Sequence, residues 1–513
     1  MVAGPLALDV GRIAAANPPQ SVLGRAIPVA LWTVALAILA GWLILAAVHV
    51  RDDYRVSHVQ GVWIAAAEAA RGGGLYPPLF DGEHYSGTRY MPLPILLNAF
   101  GSATTGDPII GGKMIAATLM AVLLATIVLV LRRASCPLPL SFALAAVVVA
   151  TDTGLQAGTT IGGDLLPVVL QTVALALAAR GHNWRQFALA GAMAGLAFAS
   201  KLTGVWGAFA VITWLVMKQQ WRPAAIVAMA TVATAAVTLG VIQLFTNGGL
   251  SEHLLAFAFA GVLGGATLLR GPNQLLFNLL GHATGAVVLF PLALISALLA
   301  GGWRHLSVFH VALIYALLVL MVVYADLGAG FNQLLDVVVL VVLVIGEWVG
   351  RVTTRVDVPA ASVLALVVSV SVVWAAGLDL VRTVGFDVRG AVAVARNGAA
   401  QRAALAVSRM VGSGNEVLAE DPSIYVPLHR QPVVMDPFML RRLDRQHPEW
   451  VDPLLRRISE RRFALVVLVV PLEDRTLDYW WNDFQFGPRV AAALRQSYRP
   501  DGTSGRYFLY RPR

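Results

Sequence analysis

Long stretches of this chain carry almost no polar side chain, and they recur at intervals separated by short loops that hold the charge. About eleven of these apolar segments have the length, or nearly the length, of a helix that crosses a bilayer: residues 26–50, 108–131, 138–150, 164–179, 187–199, 204–217, 224–245, 274–300, 306–324, 331–349 and 359–381. Several contain Gly or Pro, which helices in lipid tolerate because neighbouring helices satisfy the freed backbone groups. Segments 138–150, 187–199 and 204–217 depart furthest from the length of a span.

Past Arg382 the pattern changes, because charged residues become frequent and apolar runs shorten to strand length. Residues 387–410 read as an Ala/Arg-rich helix, 415–419 and 432–435 as strands, 453–462 as a helix and 463–470 as a buried strand. A last strand, 506–510, follows a turn expected at Asp501-Gly502. The chain therefore divides into a membrane domain, 1–383, and a small α/β domain, 384–513.

Composition agrees with the pattern. Of 513 residues, 58% are hydrophobic and only 13% charged, too little polar surface for an ordinary soluble globule. Lipid is expected to cover the rest. The net charge of +9 does not mark a nucleic-acid partner, because the Arg residues sit in loops between apolar runs and in the C-terminal part. One cysteine, Cys136, allows no intramolecular disulfide, and no Cys/His cluster has zinc-ligand spacing. The N-terminus up to Gln20 holds no sustained apolar core, so segment 26–50 is read as an uncleaved anchor. No internal repeat suggests the paired halves of many transporters.

Basic residues flanking membrane helices collect on the cytoplasmic side. If Arg12 and Arg25 are cytoplasmic, then Arg132/Arg133, Arg180/Arg185, Lys218/Arg222, Arg304 and Arg351/Arg355 fall on that side too. Loops 51–107, 151–163, 200–203, 246–273 and 325–330, with everything after the last segment, are then expected outside.

Loop 51–107 holds the most informative chemistry. It opens Arg51-Asp52-Asp53-Tyr54, continues through a helix-like stretch at 59–71, then reads Gly72-Gly73-Gly74-Leu75-Tyr76-Pro77-Pro78 and closes on Arg89-Tyr90-Met91-Pro92-Leu93-Pro94. Two adjacent carboxylates where a spanning helix meets water can serve as a partly dehydrated base for a polar acceptor beside a lipid-borne donor. Equally, they can end the helix in water, paired with Arg51 or Arg55.

The order of these features resembles the GT-C integral-membrane glycosyltransferases, in particular the bacterial polyprenyl-phosphate-sugar-dependent members related to protein mannosyltransferases and aminoarabinose transferases. The resemblance extends to Gly163-Asp164 opening a helix, to Ala199-Ser200-Lys201-Leu202-Thr203, and to Gly330-Phe331-Asn332-Gln333-Leu334-Leu335 before a late helix. It implies an α-helical polytopic fold, GT-C-like, with a C-terminal extracytoplasmic α/β domain, and an acid of the first outer loop as catalytic base, which maps onto Asp53 or Asp52. Many members carry a Lys where this chain has Met91, so Arg89 is the nearest cation there.

In such a reaction a carboxylate takes the proton of an acceptor hydroxyl as it attacks the anomeric carbon, and the lipid phosphate leaves from the opposite face with inversion. The departing phosphate needs cationic stabilisation. Lys201, Arg89 and Arg270 are the candidates, and Lys201, in a turn between two apolar segments, either has an anionic partner or snorkels to interfacial water.

Other polar residues have a structural alternative beside the functional one. Asp164 caps a helix or contacts substrate, and Asp152 has the same status. Asn332 and Asp336, four apart, share a helix face at the start of an apolar run. Tyr54, Tyr76 and Tyr85 either stack on sugar or anchor at the interface, as Glu252-His253 does. His49, His58 and His84 share the first outer region with Asp52, Asp53, Asp81 and Glu83, a set that could hold a divalent metal, but their irregular spacing gives no ligand template and no cofactor is expected. Glu420-Asp421 and Tyr479-Trp480-Trp481 read as structural or as acceptor-facing.

The expected function is transfer of a sugar from a polyprenyl-phosphate donor to a glycan, lipid or protein acceptor of the cell envelope. A transporter or flippase of lipid-linked glycans is the alternative, and a scaffold that keeps the fold without the activity is a third. A transporter places ionisable residues near the midplane on broken helices; here they gather at one boundary. The sequence carries no readable code for the sugar or the acceptor.

Overall fold

The computed structural model describes residues 22–257, 269–326, 328–354, 358–397, 402–411 and 414–513. Arg12 and Arg355 of the charge pattern, and parts of loop 246–273 and of segment 387–410, lie outside them.

Each of the eleven apolar segments is helical. Five helices are individually long and apolar enough to cross a membrane: α1 (Val22–His49), α4 (Pro108–Arg133), α10 (Trp221–Phe245), α15 (Leu335–Thr353) and α16 (Val358–Asp379). Two bent pairs, each a broken span or a re-entrant loop, are apolar enough when taken together: α5 with α6 (Leu138–Ala150, Asp152–Thr159), at 79°, and α12 with α13 (Arg270–His282, Thr284–Leu298), at 115°. Shorter apolar helices are α7 (Leu165–Ala178), α9 (Trp206–Met217) and α14 (Val308–Val323); α8 (Trp184–Ser200) packs between α7 and α10. The single run expected at 274–300 is thus a broken one.

The break is held by side chains that hydropathy does not register. His282 Nδ1 donates to Asp152 Oδ2 (2.9 Å), and the N–H of Gly285 opening α13 donates to Asp379 Oδ2 (3.1 Å). A carboxylate at a helix N-terminus is favourable, so Asp379 stabilises the restart.

α15 is the central helix, with 83% of its apolar window buried, whereas α10 is peripheral, with 11%. The change of composition at 382 falls inside a continuous helix, Ala361–Asn397, interrupted only by a π turn at Leu380–Val384. α17 (Gly385–Asn397) extends it and packs on α1.

Loop 51–107 folds into α2 (His58–Arg71) and α3 (Pro92–Thr105) and lies against the C-terminal part. α11 (Gly249–Phe257) joins it. The C-terminal part begins with α18 (Ala403–Met410) and builds a four-stranded sheet ordered β1-β2-β4-β3 from β1 (Val417–Ala419), β2 (Leu465–Leu468), β3 (Tyr498–Ser504) and β4 (Tyr507–Pro512). β1 and β2 are parallel, the other pairs antiparallel. Helices α19 (Pro437–Gln446), α20 (Pro448–Ser459) and α21 (Pro488–Ser497) complete it. Its core takes Leu79, Tyr85 and Phe257 from the membrane domain's loops.

Two strand expectations change. Val434 forms only a bridge to Tyr85 of the first loop and stays outside the sheet. Asp501-Gly502 is a bulge within β3, and the turn lies at Gly505 (φ 57°), a left-handed position suited to glycine.

Candidate active site

The two acids after α1 face different surroundings. Asp52, 5% exposed, accepts from the Tyr54 N–H (2.8 Å) and from His49 Nδ1. Lys113, from the adjoining span α4, lies 3.6 Å from its carboxylate and donates to the carbonyls of His49 (2.6 Å) and Asp52 (2.8 Å). Burial pushes the Asp52 pKa up, but the bonds from His49 and Tyr54 and the charges of His49 and Lys113 outweigh it and hold it below the usual range. Asp53 turns the other way and accepts from the N–H of Ala403, where α18 starts (2.6 Å). Burial raises its carboxyl, which the charges of Arg506 and Arg402 oppose without reversing.

Around this pair runs a network the sequence did not disclose. Arg55, at φ 53°, bridges Asp152 (2.9 Å) and Asp387 (2.5 Å). Tyr54 stacks on His49 at 4.0 Å between ring centroids. Asp152 also receives His282, whose ring stacks on Phe331 at 4.0 Å. Arg402 reaches the Arg51 carbonyl and Asp107 (3.3 Å). Arg506 joins the Val56 carbonyl to Asp421 (2.7 Å), which also accepts from Tyr507. Lys113 was legible in principle, as a lone cation in an apolar run; Arg402, Arg506 and Asp387 carried no comparable signal.

One residue past Phe331 a second constellation begins. Lys201, Asp164, Gln171, Asn332, Gln333 and Asp336 line a cavity of about 10 Å³, room for roughly one water. Lys201 Nζ donates to Asp164 Oδ1 (2.5 Å) and Gln333 Oε1 (2.6 Å), and Asn332 Nδ2 donates to Asp164 Oδ2 (2.5 Å). Asp336 Oδ1 is buried with no hydrogen-bond partner among the described residues. The turn presenting Lys201 closes at Gly204, where a Cβ would stand 2.5 Å from the Ala197 carbonyl.

Arg89 lies outside this lining. Its guanidinium sits over Phe438 (4.9 Å) and 3.9 Å from Asp326, which it shares with Arg442 (3.1 Å), and its charge also acts on Asp164. Arg270 is exposed at the start of α12 and makes no ion pair among the described residues. Asp52 and Asp53 do not border the Lys201 cavity. Apart from Arg89, Arg270, Tyr76 and Tyr85, the expected residues form two groups linked through Asp152, His282, Phe331 and Asn332.

Two expectations are corrected by packing. Tyr76 and Tyr85 are buried, with hydroxyls donating to the carbonyls of Tyr90 (2.6 Å) and Trp450 (2.6 Å), so neither ring is open to a sugar. His253 is buried between Thr88 and Pro77 and acts as an internal tie. For Glu420 and Asp421 the structural reading fits: both are fully buried, and the N–H of Val469 and Trp480 Nε1 donate to Glu420 (2.7 Å each). His49 bonds Asp52, His84 bonds Asp81 and His58 meets the edge of Trp480, and no group of three or more His, Cys, Asp or Glu among the described residues could hold a metal ion.

No family model matches the chain, and no curated protein does either. Solved structures do. ArnT from Cupriavidus metallidurans in the apo state superposes with a TM-score of 0.62 at 13% identity, over 93% of this chain and 97% of that one. The same protein bound to undecaprenyl phosphate gives 0.58 at 13% identity, over 93% and 97%. The oligosaccharyltransferase AglB from Archaeoglobus fulgidus, in complex with an inhibitory peptide and a dolichol-phosphate, gives 0.52 at 11% identity, over 91% and 72%. What the chain shares with these proteins is the architecture: it is a polytopic helical membrane protein with the GT-C fold.

Proposed function

We propose that the chain is a membrane glycosyltransferase that moves a sugar from a polyprenyl-phosphate donor to a hydroxyl of a cell-envelope glycan, lipid or protein, on the outer face of the membrane. The observation that carries this reading is the Lys201 ammonium, held by Asp164 and Gln333 beside spanning helices, with Asn332 donating to the same Asp164. Neutral Gln333 is a bond a phosphate oxygen can replace, and Arg89 adds a second cation nearby. That structures of the same fold were solved with undecaprenyl phosphate and with a dolichol-phosphate supports a lipid phosphate as the anion.

In this reading Asp53 is the base. One of its oxygens is anchored by Ala403, which leaves the other for an acceptor proton, and burial raises its proton affinity. The acceptor oxygen bonds to the anomeric carbon as the bond to the phosphate oxygen breaks. The electron pair leaves with the phosphate and the proton goes to Asp53. Acid and cations belong on opposite faces of the sugar, so the reaction asks for a gap between Asp53 and Lys201 rather than a contact. Asp52, pinned by Lys113, fixes the loop, and Tyr54 and Asp336 remain as sugar contacts.

Binding of undecaprenyl phosphate to the purified chain in nanodiscs tests this. Wild type is expected to bind it, and Lys201→Gln to bind roughly tenfold or more weakly, the scale of one charge-assisted contact. Equal affinities would remove Lys201 from the donor site. A flippase would instead move lipid-linked sugar between leaflets without forming a new glycosidic bond.

A further inference from the structure

The membrane helices do not close on one another everywhere. Between α1, the start of α13 and the second half of α16 lies a groove of about 650 Å³ that shares no lining residue with the Lys201 cavity. Ile27 and Ala30 form one wall, Val373, Trp374 and Gly377 the other. From Ser369 to Arg382 the groove follows roughly 20 Å of helix, enough for a hydrocarbon chain reaching the bilayer midplane. Because its walls are spanning helices, its occupant comes from the bilayer.

One end is polar. Asp379 is there, but the N–H of Gly285 and the N-terminus of α13 take up its charge. Arg382 is exposed and donates only to the neutral hydroxyl of Thr284 (3.2 Å), with no ion pair among the described residues. It stands in the π turn Leu380–Val384, a departure from regular helix of the kind that recurs where a side chain is aimed for function. Its charge also acts on Asp379, but a guanidinium that makes no ion-pair contact at the mouth of an apolar groove still selects an anionic headgroup. The donor's phosphate belongs at Lys201, so its lipid is not the fitting occupant.

We propose that the groove binds one anionic phospholipid of the surrounding bilayer, with an acyl chain along α1 and α16 and its phosphate at Arg382. Five residues further on, Asp387 grips Arg55 of the first loop, so the lipid braces the segment that holds the loop. This inference rests on the glycosyltransfer reading only where it excludes the donor lipid from the groove.

Trp374, 63% exposed and in the groove wall, is the reporter. The full chain is placed in vesicles containing brominated phosphatidylglycerol or brominated phosphatidylcholine, and Trp374→Phe supplies the background to subtract. Brominated phosphatidylglycerol is expected to quench Trp374 at about fivefold lower mole fraction than phosphatidylcholine, the preference one cation confers. Arg382→Gln should abolish the difference and Arg382→Lys should keep it. The proposal is overturned by identical quenching curves, or by a preference that survives Arg382→Gln. Relief of quenching by stoichiometric undecaprenyl phosphate would make the donor the occupant, and a preference seen only after removal of residues 1–21 would make that segment the occupant; either result also overturns it.

Discussion

Asp52 and Asp53 are neighbours in the chain with opposite electrostatics, and the roles proposed for them follow that contrast. A carboxyl lowered by folding adds stability above its unfolded pKa and loses it as pH falls through the folded value; a raised carboxyl does the reverse. Asp52 therefore stays ionised through mildly acid pH, whereas Asp53 takes its proton above the usual range near 4. The acid limb of kcat/KM is expected to follow Asp53. Asp53→Asn should lose about 10²- to 10⁴-fold in kcat together with that limb, while Asp52→Asn should keep the limb; pH–rate profiles of the two variants decide it. Lys113, 4% exposed, makes a stability prediction. Lys113→Met leaves Asp52 buried without its cation, at a cost of about 3–5 kcal/mol, and adding Asp52→Asn should recover part of it in thermal unfolding. Equal losses in the single and double variants would mean that the two side chains are not coupled. The acidic pair was legible because it ends an apolar run; which acid is free was not, since the deciding partners come from 61 and 350 residues away.

Helices α8 and α10 meet through small residues. A Cβ on Gly191 would stand 2.5 Å from the Val227 carbonyl, and one on Gly195 2.6 Å from that of Thr231, whose hydroxyl donates to the Gly191 carbonyl (3.1 Å). This small-x-x-x-small seam lets the backbones approach closely. α10 is largely exposed to lipid, so the seam is its main attachment. Gly195→Val is expected to cost about 1–3 kcal/mol by overpacking and to raise protease sensitivity around α10; unchanged melting and cleavage would contradict it. Apolar length located the helices well, because hydrophobicity alone sets a span. It missed the break between α12 and α13, which depends on Asp152 and Asp379 reaching in from other elements. It also placed 432–435 in the sheet, where extended backbone instead pairs with Tyr85 of the first loop.

As a whole, the molecule joins its membrane body to its C-terminal sheet through loop 51–107, which gives that sheet's core Leu79 and Tyr85 and takes from it Ala403, Arg402 and Arg506 around Asp53. The stability of the sheet should reach the site. Burial pushes Glu420 up to about 7 from an unfolded value of 4.5, so its contribution is complete below pH 4.5 and is lost as pH rises through 7. Melting temperature is expected to fall between pH 5 and 8, with the slope flattened in Glu420→Gln; an unchanged slope would assign it elsewhere. The GT-C architecture was legible through a family resemblance carried by the order of apolar segments and loop motifs, whereas the union of loop and sheet was not, because no local pattern encodes a contact between such distant residues. The central claim, that Lys201 holds a lipid phosphate while Asp53 deprotonates the acceptor, is tested most directly by single-turnover sugar transfer. The reconstituted chain is supplied with polyprenyl-phosphate sugars extracted from the producing cells, and Asp53→Asn is run beside wild type. The account predicts glycosylated acceptor and free polyprenyl phosphate in equal amounts from wild type, and bound but unconsumed donor in the variant. Transfer by Asp53→Asn at the wild-type rate would contradict it.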